Sequence, residues 1–404
     1  MSLSPAADER REDVGAPSRL RRLFAGARCV IRPRRRPAYH VALDGMPEVR
    51  LARWPVAPRE YIPWVWIYAP VVAKWFLLGF RHGSLTLPTL ANPHIESGGF
   101  RGESKASYLR QIDADNQHWV ARWTVVRLSG RAEVPERVRA AEAAMAQASL
   151  SYPVIVKPDI GACGYGVRLV ADARELAAYI GEFPGGESLI LQEFLPWAGE
   201  AGIFYIRRPG EERGRIYSLG LRYYPHVVGD GRASLRALIA ADPRLARRAK
   251  LHMAAVESRL DEVPPEGVVV RLATIASLRI GALYRDGAAL ITRTLADRID
   301  TIARSMPEFY YGRFDVRFAS IEGLKRAEEF RVIEVNGAGA EAIHIWDPEL
   351  GIGEAYRILF EQHEILFAIA ARNRDRGWRP ISLRELLALQ WKESRLLRAY
   401  PVSN

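Results

Sequence analysis

The chain has 404 residues, 49% of them hydrophobic and 26% charged, with a formal net charge of +11. These proportions exclude a wholly disordered or collagen-like chain and leave room for two or three folded units of roughly 150 residues. Two cysteines, Cys29 and Cys163, are too few for a disulfide framework or a cysteine-based zinc site, and they fit a reducing compartment.

The positive charge is uneven. Lysine occurs six times against 52 arginines, and residues 1–40 hold ten arginines and four acids, a net +6 that leaves +5 for the rest. A basic nucleic-acid-binding face is therefore not expected on the folded part. Residues 1–40 read as a solvated or anion-attracting arm without an apolar secretory core, so a cytoplasmic location is expected.

Residues 41–120 are aromatic and proline-rich. Within them, 61–80 hold three Trp and two Tyr, and Lys74 is the only charge. Three readings stay open: a buried element, a peripheral contact with the inner face of a membrane beside the arginine arm, or a spanning helix. Pro63, Pro70 and Lys74 count against the last. Asn92-Pro93 and Gly98-Gly99 mark turns before a short helical pattern that starts at Ser104. Lys105 lies beside these glycines, either as an ordinary loop lysine or where a ligand approaches the backbone.

From Ala121 onward strands and helices alternate. A strand at 122–126 is followed by a helix from Pro135, with proline in its first turn. The strand at 152–158 runs into a glycine-rich loop, and further strands follow at 168–170, 189–195, 203–208 and 215–224. Asp286-Gly287 reads as a hairpin turn between 277–286 and 288–293. A helix over 295–306, strands at 313–318 and 330–336 joined by a charged surface loop, and helices over 355–372 and 383–397 complete an α+β order with antiparallel sheets.

Three segments carry chemistry. In the first, Lys157 ends a strand and Gly161, Gly164 and Gly166 follow, an arrangement that brings peptide N–H groups and one cation near phosphate oxygens. By itself this is also an ordinary glycine turn. In the second, an apolar strand ends in Gln192-Glu193, which offers edge groups to a purine, or simply closes a core strand. The third places Asp315 in one apolar strand and Glu334 and Asn336 in another. Acids in such strands are costly unless paired or metal-bound. Glu334 and Asn336 share a face because side chains alternate with period two, and Asp315 can join them from the next strand. An oxygen-only donor set suits Mg²⁺ or Mn²⁺. Arg313 faces the same side, either to offset developing charge or to staple the strands through Asp315.

In this order the segments resemble the ATP-grasp superfamily over residues 121–345, and its carboxylate–amine ligases in particular. The resemblance implies two α+β lobes (121–200 and 201–350) clasping a nucleotide, with C-terminal helices over 351–404. It implies ATP under a loop of Gly161, Cys163, Gly164 and Gly166, with Lys157 on the phosphates. Gln192, Glu193, Phe194 and Leu195 would meet the base and Glu200 the ribose. Asp315, Glu334 and Asn336 would hold Mg²⁺, and Arg313 and Arg222 would contact phosphate. Gly337 and Gly339 would lie along the path of the acyl group. The implied reaction is ADP-forming C–N ligation of a small carboxylate and an amine through an acyl phosphate. The alternatives are an ATP-grasp phosphotransferase and a membrane-associated nucleotide-binding regulator. His226, Arg279, Arg285, Arg293 and His344 are further pocket candidates. Oligomeric state is left open.

Overall fold

A computed structural model describes residues 39–41, 43, 45–51 and 56–403. The expectations for the basic arm, for a secretory signal and for Cys29 fall outside the described residues.

A short antiparallel hairpin, β1 (Tyr39–Val41) and β2 (Val49–Leu51), precedes helix α1 (Trp64–His82). Gly83 closes α1 in the left-handed conformation at φ 72°. No helix among the described residues is long and apolar enough to cross a membrane, which removes the spanning reading of 61–80. In α1, Ile67, Tyr68, Val71 and Leu78 are buried against the rest of the protein. Helix α2 (Lys105–Gln111) starts at Ser104, whose hydroxyl accepts the Ser107 N–H at 3.1 Å.

The first lobe is a four-stranded antiparallel sheet in the order β3-β6-β4-β5, with β3 (Trp123–Arg127), β4 (Val154–Pro158), β5 (Arg168–Val170) and β6 (Ser188–Glu193). Helices α3 (Val134–Gln147) and α4 (Ala173–Glu182) cover one face through a core that includes Met145, Leu176, Tyr179 and Ile180. The second lobe is a five-stranded antiparallel sheet in the order β11-β8-β7-β12-β13. Its strands are β7 (Gly199–Ile206), β8 (Arg215–Tyr223), β11 (Leu283–Asp286), β12 (Tyr311–Phe318) and β13 (Phe330–Asn336). A small annex lies between β8 and β11 in sequence. It pairs β9 (His226–Val228) with β10 (Val269–Arg271) and carries α5 (Leu235–Ala241) and α6 (Ala249–Ala255).

Helix α7 (Arg293–Ser305) packs Leu295, Ile299 and Ile302 into the core of the second sheet. The long α9 (Ile352–Asp375) supports α1, with Trp75 against Phe367 at 5.1 Å and the Tyr356 hydroxyl donating to the Ile67 carbonyl at 2.9 Å. Helix α10 (Leu383–Ala399) begins with the Ser382–Glu385 capping box. The α+β class and the two antiparallel lobes expected from the sequence are present.

Two local readings are corrected. Asp286-Gly287 forms no hairpin: β11 pairs with β8, and 288–290 is a single 3-10 turn. The Thr292 hydroxyl caps α7 through the Leu295 N–H at 3.1 Å, so the chain turns helical where a return strand was expected. The charged loop after β12 contains a short helix, α8 (Ile321–Lys325), whose Gly323 and Leu324 are buried.

Candidate functional site

The two sheets face a shared cavity of about 340 Å³. Its floor is where β12 and β13 run side by side, with Asp315 directly opposite Glu334 and Arg313 opposite Asn336. Register shifts after this pair, because Val316 pairs with Val332 and Ile333 has no residue opposite it. A bulge of this kind re-aims the groups around it. Here the carbonyl of Ile333 accepts a hydrogen bond from Lys157 Nζ at 2.8 Å. The irregularity in one lobe thus receives the lysine of the other.

Asp315 is 1% exposed, and its carboxylate is fully engaged. Arg313 grips it through Nε (2.6 Å) and NH2 (3.1 Å), Arg222 donates at 3.0 Å, and the Asn336 amide lies at 3.3 Å. Burial alone would raise the pKa of Asp315, but the two guanidiniums outweigh it and hold the group below the ordinary carboxylate range. Arg222 also donates to Glu200 at 3.0 Å, and Glu200 takes further contacts from the Tyr224 hydroxyl and from Arg317 at 3.6 Å. Glu200 therefore lies inside the strand, held on several sides, and presents only part of its carboxylate to the cavity.

Lys157 is buried, with a second hydrogen bond to Gln192 Oε1 at 2.8 Å. Burial pushes its ammonium down to about 8; Glu334 opposes the fall and Lys105 adds to it. The Nε2 of Gln192 is buried without a protein partner, as an acceptor on a bound ligand would require. Glu193 turns its carboxylate to Arg122 at 2.9 Å. Phe194 and Leu195 complete this wall, although the Leu195 carbonyl is already taken by Arg317 at 2.8 Å.

The glycine loop closes the opposite side. Cys163, Gly164 and Gly166 all have left-handed φ values, 53°, 73° and 69°. Side chains from far along the chain hold its carbonyls: Tyr400 reaches Ile160 at 2.7 Å, Ser403 reaches Gly164 at 2.6 Å and Ser277 reaches Cys163 at 3.2 Å. Cys163 and Gly164 line the cavity, Gly161 lines a smaller side cavity of about 70 Å³, and Gly166 lines neither.

Lys157, Gln192, Glu193, Phe194, Leu195, Glu200, Arg222, Arg313, Asp315, Glu334 and Asn336 all meet at the one cavity. Gly339 lines it too, whereas Gly337 is packed backbone to backbone against Gly99; a Cβ on Gly337 would stand 2.8 Å from the Gly99 Cα. Of the other candidates, Arg279 lines the cavity, with its guanidinium 4.4 Å from the centre of the Tyr165 ring. Arg285 is paired with Asp347 at 3.0 Å, His226 is buried in the annex, and Arg293 is exposed at the start of α7. His344 lies outside the residues lining the cavity.

Two cations of the N-terminal region belong to the site and were not assigned to it from the sequence. Lys105 donates to the Gly161 carbonyl and stands 3.4 Å from Glu334. Arg101 is buried and lines both cavities; its NH1 lies 3.4 Å from Glu393, while its Nε and NH2 have no hydrogen-bond partner. Trp64, Tyr68 and Trp346 also line the cavity; Trp64 stacks on Tyr68 at 5.5 Å and the Tyr68 hydroxyl donates to Glu341 at 2.8 Å.

Among the described residues no group of three or more His, Cys, Asp or Glu side chains is placed to hold a metal ion. The available set is two carboxylates and a carboxamide, Asp315, Glu334 and Asn336, on adjacent strands in register. Oxygen donors of this kind suit a hard divalent cation, although both Asp315 oxygens are held here by Arg313, Arg222 and Asn336.

No family model and no curated protein matches the chain. Among solved structures it is similar to a bifunctional glutathione synthetase from Pasteurella multocida, at 14% identity over 64% of this chain and 36% of that one, with a TM-score of 0.35. It is also similar to the D-alanine–D-alanine ligase of Bacillus anthracis, at 12% identity over 68% of each chain and a TM-score of 0.37. A third is the D-cycloserine synthetase DcsG, at 13% identity over 74% of this chain and 82% of that one, with a TM-score of 0.36. Likeness at this level adds nothing to the site geometry, and the functional reading rests on the residues.

Proposed function

We propose that the chain is an ATP-dependent ligase that joins a carboxylate to an amine and releases ADP and phosphate. The observation that supports this most is the buried Asp315, gripped by Arg313 and Arg222 and lying opposite Glu334, on the floor of a cleft whose other wall carries Lys157. Positioned cations around a carboxylate floor suit phosphoryl transfer, where catalysis comes from alignment and from charge stabilisation.

In this reading ATP lies between the lobes. Gln192, Phe194 and Leu195 line the base, Lys157 and the 161–166 loop meet the phosphates, and Glu200 keeps Arg222 aimed at them. Asp315, Glu334 and Asn336 would hold Mg²⁺, which would supply positive charge against the phosphates. A substrate carboxylate oxygen attacks the γ-phosphorus as the bond to the ADP oxygen breaks. Arg313 and Arg222 face the charge that develops. The amine nitrogen then attacks the acyl carbon, the C–O bond breaks, and phosphate leaves as the nitrogen loses a proton. Arg101, a fork with two unpartnered nitrogens, takes the anionic end of a substrate.

The test is ADP and phosphate release by the purified full chain with ATP, Mg²⁺ and pools of carboxylates and amines. Release that requires both pools is expected; nucleotide turnover indifferent to both, or none at all, would contradict the reading.

A further inference from the structure

Helix α1 departs from the usual pattern of a surface helix. A helix that buries one stripe ordinarily turns a polar stripe outward. The inner side of α1 packs Ile67, Tyr68, Val71 and Leu78 into the protein. Its outward stripe nevertheless runs through Trp66, Ala69, Ala73, Phe76, Leu77 and Phe80, all exposed and none of them polar. Trp66 is 70% and Phe80 76% exposed. Lys74, the one charge before the last turn of the helix, is turned to the flank and pairs with Glu364.

Both ends of the stripe are cationic. At the start, Arg247 places its guanidinium 4.4 Å from the centre of the exposed Tyr61 ring. At the end, Arg81 is exposed and Arg374 donates to the His82 carbonyl at 2.6 Å. We infer that this face docks on the surface of an anionic lipid bilayer, with α1 lying in the interface plane. Trp and Tyr favour that boundary, and arginines at either end meet lipid phosphates while the apolar stripe enters the acyl edge. A second copy of the chain fits less well. Two-fold pairing of this face, parallel or antiparallel, brings Arg81 and Arg374 against the partner's own cationic end, like charge on like. Trp64 belongs to this helix and also lines the main cavity, so the docked face and the cavity meet at one side chain.

The experiment is co-sedimentation of the full chain with vesicles of phosphatidylcholine, with and without phosphatidylglycerol, alongside the Trp66→Ser/Phe80→Ser double variant. Wild type should pellet with the phosphatidylglycerol vesicles and be released by salt. The double variant should partition roughly tenfold less, as expected for losing two large apolar side chains from the contact. Neither side chain packs in the core, so an unchanged melting temperature shows that the variant is folded. Equal pelleting of the double variant, or no pelleting of wild type with either vesicle, would overturn the proposal. So would a concentration-dependent dimer in light scattering that the double substitution abolishes, since it would place a second copy on this face.

Discussion

Lys105 and Glu334 stand 3.4 Å apart, although one opens α2 in the N-terminal region and the other lies within β13 of the second lobe. Through the Gly161 carbonyl the same ammonium also ties down the glycine loop. One cation thus joins the loop to the carboxylate floor, and its charge lowers the pKa of Lys157 next to it.

This coupling gives a pH dependence. Lys157 titrates at about 8 in the free protein. Bound phosphates would favour its charged form and raise that value. Nucleotide binding should therefore take up a proton near pH 8, and affinity should fall above it by up to about tenfold per pH unit until the bound-state pKa is passed. Calorimetry in buffers of different ionisation enthalpy reads the uptake. Lys157→Arg should flatten the fall because a guanidinium stays charged. Lys105→Gln removes a like charge and should move the onset to higher pH.

Asp315→Asn leaves Arg313 and Arg222 in the interior without their shared counter-charge. Removing one partner of a buried ion pair costs about 3–5 kcal/mol, so a lower melting temperature is expected in a protein that still folds. ADP release should fall at least about a hundredfold. Lys157→Ala should also abolish turnover. Circular dichroism melts together with a coupled ADP assay check both.

Arg101→Gln should raise KM for the anionic substrate about tenfold or more, in line with roughly 1.5–3 kcal/mol for a hydrogen bond to a charged group. Arg101→Lys should recover only part of that, since a point charge replaces a fork. Nucleotide affinity, read by titration calorimetry, should fall less than the affinity for the anionic substrate.

Cys163 is exposed on the glycine loop and lines the cavity. ATP with Mg²⁺ should slow its alkylation by iodoacetamide several-fold, measured by peptide mapping so that Cys29 is read separately. Equal labelling with and without nucleotide would count against the loop's place over the phosphates.

Much of the site was legible because it violates burial rules: acids at 315 and 334 inside apolar strands have few stable explanations. Strand periodicity then placed Arg313, Asn336 and Glu334 on compatible faces, and the observed register pairs Asp315 with Glu334 and Arg313 with Asn336. Lys105 was legible only as one of two open readings and Arg101 not at all, because only tertiary folding brings 99–105 against 334–339. The enabling contact is the backbone approach of Gly99 to Gly337, which nothing in the local sequence announces. The misread turn at 286–287 has a local cause, since the Thr292 cap commits the chain to α7 just where a second strand was expected. For α1 the sequence showed apolarity all round, but which stripe faces outward depends on α9, far along the chain.

The most direct measurement is hydroxylamine trapping during turnover with ATP, Mg²⁺ and carboxylates, comparing wild type with Asp315→Asn. An ATP-dependent hydroxamate formed by wild type and lost in the variant is the predicted result. ADP released with a phosphate ester and no hydroxamate would instead mark a phosphotransferase and contradict the account.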